Sequence, residues 1–361
     1  SAASDVYKRQ VDELEQVLIA FRDNADQLQQ EFQIEGSVIP MSFIINNGDQ
    51  DPAFLINGFG EGYGDTPDHF AVTDEGEVIY TAVQEGYKEG IQWLHQLVEE
   101  NLVDPEAFTQ EWSTYVAKGK NHRYGLCFTW DIANIDNYDD YVMLPALAGP
   151  EGLVNITRQN NSETSGFERG RCVLTTSCRD TALAAAWIDQ MYAPLQSIQN
   201  NWGTYGEEGK PNIFEMSTNA EGEPMLKHLS LEGESPVEVR QAQSVNGPLA
   251  VLNDYYDVYV TQPDDAKWRL DNMHEIYLED MHSKYVYPNV FMSIDDTNLV
   301  SQYDTDIKKY ADQKKADWIL NGGIEEEWDE YLQKMEEYGL SDYLAIKQKY
   351  FDQYQESLSE E

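Results

Sequence analysis

Short apolar runs occur singly along this sequence, and helical or loop segments separate each run from the next. The first helix is predicted at residues 12–24, where apolar side chains recur at helical spacing, and the first strand at the apolar run 38–45. A β-sandwich would show strands in rapid succession, and a simple helical bundle would show none. The pattern therefore predicts a helix-rich α/β protein built of lobes.

The rest of the chain continues this alternation. Strands are predicted as a hairpin at 72–80 and as single runs at 125–130, 141–144 and 171–175. Helices are predicted at 84–101, 182–192, 296–321 and 324–338, the third of them stopped by Gly322-Gly323. Asp104-Pro105 and Ser341 are predicted to begin two more helices. Residues 46–64 should form a loop and residues 194–236 should be irregular, because both segments are rich in glycine and other turn formers.

Acidic residues outnumber basic residues by 66 to 24, which gives a formal net charge of −42. Phosphate binding depends on clustered lysine and arginine, so this charge excludes nucleic acid as the expected partner. It also disfavours docking on an anionic lipid surface. A neutral or cationic ligand fits the overall field better than a polyanion.

Aromatic residues are abundant, with 8 tryptophans, 23 tyrosines and 12 phenylalanines. Packing between helices should account for most of them. Tyrosine and tryptophan also suit surfaces that are half apolar and half hydrogen-bonding. The remainder therefore favours a cleft in which sugar rings stack on aromatic faces.

The three cysteines, Cys127, Cys172 and Cys178, lack metal-ligand spacing. Cys172 and Cys178 could pair across a tight turn, but three buried, reduced thiols are the favoured interpretation. No stretch reaches the ~18 consecutive apolar residues of a membrane helix, and no secretory signal is recognisable. Residues 1–10 are predicted to be a foreign or unstructured leader, and the missing signal is interpreted as truncation.

Four segments form an ordered set of motifs. They are DELEQVL at 12–18, YKEG at 87–90 with DPEAF at 104–108, LPALAGPEG at 144–152, and WDEY at 328–331 with Gly339-Leu340. The second is the most specific. Together they resemble the family 1 extracellular solute-binding proteins of ABC importers, in particular the sugar-binding lipoproteins of Gram-positive bacteria, and the match extends from residue 11 almost to the end.

The resemblance implies a two-lobed, type II periplasmic-binding-protein-like fold that closes on its ligand about a hinge. In that fold residues 11–143 would be the first segment of lobe 2, residues 144–193 the crossing strand with a lobe 1 segment, and residues 194–361 mainly lobe 2 with the C-terminal helices. The first lobe would be incomplete, which would expose apolar surface.

The resemblance also implies the partners and the location. The ligand would be an oligosaccharide, and the transmembrane subunits of an ABC permease would receive it. The protein would be an extracellular monomer that an N-terminal lipid anchors to the membrane. Many members carry a calcium-binding-like loop after the opening helix. Residues 22–35 lack its Asp/Asn/Gly pattern, so we predict no metal there and no cofactor.

Trp130 and Asp131 are the first candidate ligand-binding residues, because strand ends in open α/β sheets face clefts. A tryptophan beside an aspartate offers a stacking surface together with an acceptor for sugar hydroxyls. The alternative is a core tryptophan followed by a solvated aspartate. Trp202 and Tyr205 are candidates within a glycine-rich segment, where the alternative role is to anchor a loop.

Three further groups complete the candidate site. Arg158 and Asn161 lie in a polar loop and could grip hydroxyls, although a plain surface loop explains them as well. Asn47 and Asp49 have the same two interpretations. Tyr255 could line a cleft, but it shares helical spacing with Tyr259 and could simply pack.

Alternative functions remain open at this point. A peptide-binding protein of an ABC importer would share the fold. A secreted glycoside hydrolase needs two carboxylates across a sugar, and 66 acidic residues make a chance pair uninformative. A helical surface-interaction protein is the third alternative. The sequence contains no His-Glu-x-x-His motif, no G-x-S-x-G motif and no P-loop, so we predict a binding protein and no enzyme.

Overall fold

Amphipathic helices form most of the regular structure of this chain. The computed structural model describes residues 10–60, 63–156, 172–209, 212–231, 235–245, 247–277 and 284–359. The helices are Val11–Asp23 (α1), Ala25–Phe32 (α2), Glu85–Glu99 (α3), Trp112–Lys120 (α4), Thr181–Met191 (α5), Pro194–Trp202 (α6), Pro236–Gln243 (α7), Asp264–Tyr277 (α8), Ile294–Asn321 (α9), Ile324–Glu337 (α10) and Leu340–Ser359 (α11).

The described strands are short and occur in three pairs. They are Ile39–Met41 (β1), Phe70–Val72 (β2), Val78–Tyr80 (β3), Tyr124–Leu126 (β4), Phe214–Thr218 (β5) and Pro224–His228 (β6). β1 pairs with β4 in parallel, whereas β2 with β3 and β5 with β6 form antiparallel hairpins. The predicted hairpin is confirmed, and its turn contains Gly76 at φ 88°, a left-handed conformation that favours glycine.

The chain divides into two compact units. Unit 1 consists of the described residues within Ser1–Trp130, Met143–Phe167 and Met273–Glu361, and unit 2 of those within Asp131–Val142 and Glu168–Asn272. The sequence-based segments change at 143/144 and 193/194 instead. Their assignment to lobes stays a prediction.

Unit 1 contains a large apolar core. α3 packs against α9 and α10, and α11 packs against α9. Aromatic rings fill the centre: Trp318 meets Tyr331 edge to face at 4.9 Å between ring centroids, and Trp328 stacks on Tyr331 at 5.4 Å. Such aromatic pairs contribute beyond their buried area, so these helices fix one another's positions.

Glycines bring two backbone segments of unit 1 into direct contact. A Cβ atom added at Gly149 would lie 1.9 Å from the carbonyl oxygen of Gly58. Residues 144–149, predicted to belong to a crossing strand, are therefore fixed against the loop that follows the 3₁₀ helix Pro52–Ile56.

Unit 2 has a smaller core around the β5–β6 hairpin. Its buried members are Ile198, Ile213, Phe214, Leu226 and Val260. Of these, α6 contributes Ile198, whereas α5 has no buried residue.

Two strand predictions are wrong. Residues 141–144 and the described part of 171–175 are not strands, because no described segment pairs with either run. The strands at 38–45 and 125–130 are shorter than predicted, because only three residues of each enter the β1–β4 ladder. An apolar run gives burial, but a strand also needs a hydrogen-bonding neighbour.

Three other local predictions are corrected. Residues 105–109 form turns and the next helix begins at Trp112, because the Asp104 carboxylate bonds with Ser42 and Lys118. Ser341 does not cap α11; its hydroxyl donates to Glu336 instead. The segment predicted to be irregular contains α6 and the β5–β6 hairpin.

The cysteine prediction is half correct. All three cysteines are unbonded to one another, but Cys172 is exposed and Cys127 and Cys178 are only partly buried. No helix in the described part of the chain combines the length and apolar character that a membrane span requires.

Candidate functional site

Trp130 is the last residue of the first part of unit 1 and is strongly exposed. It lies four residues beyond the end of β4, and 60% of its surface is accessible. An exposed tryptophan is costly to leave in water unless its face is used. This placement suits a stacking surface for a ligand ring and excludes the alternative of a core tryptophan.

Asp131 begins unit 2 and is buried. Its carboxylate accepts from the backbone N–H of Ala133 at 3.0 Å, which caps the 3₁₀ helix Ile132–Asn134, and from Arg269 Nε at 3.0 Å. An ion pair with this geometry fixes the side chain. Asp131 is thus a structural anchor inside unit 2, and its role as a hydroxyl acceptor stays a prediction.

The hairpin core of unit 2 brings three predicted residues together. Trp202 ends α6 and contacts Phe214 edge to face at 6.4 Å between centroids. Tyr205 forms an isolated β-bridge with Phe214 and keeps part of its ring exposed. Tyr255 packs against the same cluster and meets Tyr259 edge to face at 5.2 Å. Of the three, Tyr205 is the most available to a ligand.

His228 completes this group, and the sequence analysis missed it. Its ring lies 4.6 Å from that of Phe214 and 5.3 Å from that of Trp202. Thr261 Oγ1 lies 3.2 Å from Nδ1, whereas Nε2 is buried without a partner among the described residues. Burial lowers the pKa of His228 to about 4, so the imidazole is neutral near pH 7. A lone histidine in a polar stretch gives no sequence signal for such a place.

The remaining predicted residues are divided between the surface and the undescribed part of the chain. Asn47 and Asp49 are exposed on the short 3₁₀ turn that follows β1, where Asn47 O accepts from Gln50 N at 2.8 Å. Arg158 and Asn161 lie outside the described residues.

A surface cavity of about 610 Å³ lies within unit 1, next to this turn. One face of α9 forms one wall, and Ile45, Asn46 and Phe108 form the other. The charged lining residues are of both signs, with Asp304 and Asp312 among Lys308 and Lys309. The cavity therefore has an apolar wall with a mixed polar rim.

Beneath this cavity lies a buried group of charges. His69 is fully buried, and its Nδ1 contacts Asp65 at 2.8 Å while its Nε2 contacts Asp312 at 3.3 Å. Lys315 is likewise buried and bonds to both carboxylate oxygens of Asp51, at 3.0 and 3.1 Å. Buried charges persist only when they are paired and hydrogen-bonded, as these are.

The protonation states of this group follow from its geometry. Burial opposes the charge on His69, but the Asp65 carboxylate outweighs it and raises the pKa of His69 above its usual value. Burial would raise the pKa of Asp65, yet the charge of His69 brings it below the ordinary range. The pKa of Lys315 is raised by Asp51 and Asp65 against the effect of burial. The network therefore consists of ionised groups near neutral pH and serves to join loops to α9.

Two units of an α/β chain, an exposed tryptophan and a second aromatic group beside polar side chains are typical of proteins that capture a solute. Comparisons with known proteins agree with this class. No protein-family model matches the chain. FusA of Streptococcus pneumoniae serotype 4, a fructooligosaccharide ABC transporter substrate-binding protein, is 47% identical over 322 residues, which are 89% of this chain.

Solved structures show the same relationship. FusA in complex with kestose is 45% identical, with a TM-score of 0.87, and the match covers 97% of this chain and 69% of that one. The EF-hand mutant of FusA in complex with fructo-nystose gives the same values. An HMO-binding solute-binding protein from Bifidobacterium longum infantis, 21% identical, has a TM-score of 0.73 over 96% of this chain and 70% of its own, which supports the fold alone.

The chain therefore belongs to the substrate-binding proteins of ABC transporters, and the predicted α/β solute-binding fold is confirmed. It spans 58% of the length of the curated FusA polypeptide.

Proposed function

We propose that this protein binds a fructooligosaccharide outside the membrane and delivers it to an ABC permease. One observation carries the proposal: the chain is 45% identical, over 97% of its length, to FusA solved with kestose and with fructo-nystose. The net charge of −42 is compatible with a neutral sugar and unfavourable for an anionic one.

The proposed contacts divide between the two units. The exposed ring of Trp130 would stack on a sugar ring, and Tyr205 would add a second half-exposed aromatic face. The polar candidates Asn47, Asp49, Arg158 and Asn161 would bond to hydroxyls. Pockets for small ligands combine apolar walls with a few fixed polar groups in this way.

Other predicted residues would act from behind this surface. Trp202 and Tyr255 pack against the hairpin core of unit 2, and Asp131 is bonded to Arg269. They would hold the contact surface in position. Capture would be reversible and would involve no covalent chemistry.

The finer assignments belong to the same proposal. We propose membership of family 1 of the extracellular solute-binding proteins, the two-lobed division predicted from the sequence, a monomeric state and lipid anchoring at the outer face of the membrane. The family relationship supports these assignments.

A ligand panel tests the function. Thermal unfolding of the natural polypeptide, as its gene encodes it, would be followed with kestose, nystose, maltotriose and a neutral tripeptide. Binding at a hundred times the dissociation constant adds ~2.7 kcal/mol to the free energy of unfolding. We expect kestose or nystose to raise the melting temperature by a few degrees and the two other compounds to leave it unchanged.

The same panel separates the alternatives. A shift with the tripeptide alone would identify a peptide-binding protein, and release of fructose or sucrose from kestose would identify a glycoside hydrolase. Either result would overturn the proposed function.

A further inference from the structure

Helix α5 in unit 2 is well formed but has no core of its own. The Asp180 carboxylate accepts from the backbone N–H of Leu183 at 2.9 Å, which caps the N-terminus. Alanine, the strongest helix former, occupies four of the eleven positions. Even so, an isolated helix of this length is marginal in water, because most helical stability in proteins comes from packing of an apolar face.

The large apolar side chains of α5 are exposed. Leu183 has 68% of its surface accessible and Trp187 has 61%, and the helix has no buried residue. Val173 and Leu174, just before the helix, and Tyr192, just after it, are also exposed. These five residues define the α5 face. Contiguous exposed apolar surface of this kind marks an interaction site.

The neighbouring helix shows what is missing. α6 follows α5 directly and buries Ile198 in the hairpin core of unit 2. The two helices are adjacent in the chain and in the same unit, yet only α6 is provided with a packing partner by the described residues. The α5 face also carries little charge, since Asp189 is the one ionisable residue within the helix. Its partner must therefore be apolar and must pack closely on the alanines.

The comparison with FusA indicates what this partner is. FusA matches this chain over 97% of its length at 45% identity, while the chain covers 69% of the solved FusA molecule. About three tenths of that molecule thus has no counterpart here. Soluble monomers rarely expose an apolar face of this kind.

We infer that the α5 face is an interface that packs against the part of the solute-binding protein which FusA has beyond the region matched by this chain. The inference goes beyond the proposed function, because it assigns an internal docking surface and makes no statement about sugar.

Complementation in trans tests the inference. The 361-residue chain would be mixed with the portion of pneumococcal FusA that lies outside the matched region. We expect the two polypeptides to co-elute, the amides of residues 181–192 to exchange at least about tenfold more slowly in the complex, and an apolar dye bound by the free chain to be released.

Matched variants locate the interface. Leu183→Glu and Trp187→Glu should each weaken the complex by about tenfold or more, since a charge would be buried at the centre of the contact. Phe291→Glu is the control, because Phe291 is an apolar residue of unit 1 with 70% of its surface accessible, and it should leave affinity within about twofold. Circular dichroism of each variant would show whether it is folded.

Three results would overturn the inference. The first is the absence of a complex when the wild-type chain is folded. The second is self-association of the chain alone that Trp187→Glu abolishes, which would assign the face to a second copy. The third is slow exchange of residues 181–192 in the chain alone, which would show that its own residues, including 157–171, cover the face. None of these readouts uses sugar, so failure here is separate from failure of the proposed function.

Discussion

The two units of this chain are stabilised in different ways. Unit 1 has a core of 28 buried apolar residues, reinforced by the ion pairs of His69 and Lys315. Unit 2 has five buried residues in its principal cluster and exposes many large apolar side chains, including Trp187 and Leu183. Unit 1 is therefore expected to be the more resistant to local unfolding, while unit 2 depends more on whatever covers its surface.

The buried histidines of the two units illustrate the difference. In unit 1 the carboxylates of Asp65 and Asp312 contact His69 and raise its pKa above the ordinary value. In unit 2 no described carboxylate pairs with His228 in an ion pair, and burial lowers its pKa to about 4. Burial acts on both rings in the same direction, so the presence of charged partners decides the sign of the shift.

The largest expected effect concerns the buried ion pair of unit 1. Lys315→Met would leave the Asp51 carboxylate buried and uncompensated, which should cost roughly 3–5 kcal/mol of the free energy of unfolding. Urea unfolding followed by hydrogen exchange in α9 measures this loss in unit 1.

A double variant provides the control. Asp51→Asn with Lys315→Met removes both charges, and it should recover a large part of the lost stability. A single variant as stable as the wild type would show that the pair is not essential and would remove one half of the comparison.

The second effect is a pH dependence of opposite sign in the two units. The lowered pKa of His228 means that the unfolded chain binds a proton before the folded chain does, from its unfolded pKa of about 6.5 down to about 4. Unit 2 should therefore lose stability as the pH falls through this range, by up to about 3 kcal/mol. The raised pKa of His69 gives unit 1 a contribution that is complete below about pH 6.5 and is lost as the pH rises through the folded value.

Amide exchange at several pH values measures both effects, in β5 and β6 for unit 2 and in β3 and α9 for unit 1. His228→Gln should flatten the acid slope of unit 2 and leave unit 1 unchanged. The same slope in the variant and the wild type would show that another group causes it.

A smaller effect tests the close backbone contact in unit 1. Gly149→Ala would place a Cβ atom 1.9 Å from the Gly58 carbonyl oxygen, and overpacking of this kind should cost about 1–3 kcal/mol. Gly247→Ala in unit 2 is the matched control. Its Cβ would meet Met191 Cε alone, at 3.6 Å, and should change the melting temperature little. Equal losses from the two substitutions would contradict the assigned contact.

The sequence predicted the local features of unit 1 well, because they depend on short-range chemistry. The turn at Gly76 and the stop at Gly322 have left-handed backbones that favour glycine, and both lie where the sequence predicted. The helices α3, α9 and α10 follow apolar periodicity with boundaries that differ by one or two residues.

Tertiary contacts explain what the sequence could not predict. Asp104 looks like a helix cap, but its carboxylate is bonded to Ser42, which lies 62 residues away. The run at 141–144 is apolar enough for a strand and has no pairing segment in the described structure. His228 acquires its buried place from Phe214 and Thr261, and no local pattern announces those partners.

The candidate site shows the same limit. Trp130 was correctly separated from a core role only by its exposure in the structure, whereas Trp202 proved to be packed against Phe214 and His228. The residue types were suitable in both cases. The environment of each ring decides which of them can meet a ligand directly.

Calorimetric titration of kestose into the natural polypeptide, into its Trp130→Ala variant and into its Trp202→Ala variant tests the central claim most directly. We predict saturable binding of one kestose per chain. Trp130→Ala should weaken it at least about tenfold with an unchanged melting temperature, while Trp202→Ala should lower the melting temperature as well. No heat of binding with kestose or nystose, in a polypeptide that unfolds cooperatively, would contradict the assignment of a fructooligosaccharide-binding protein.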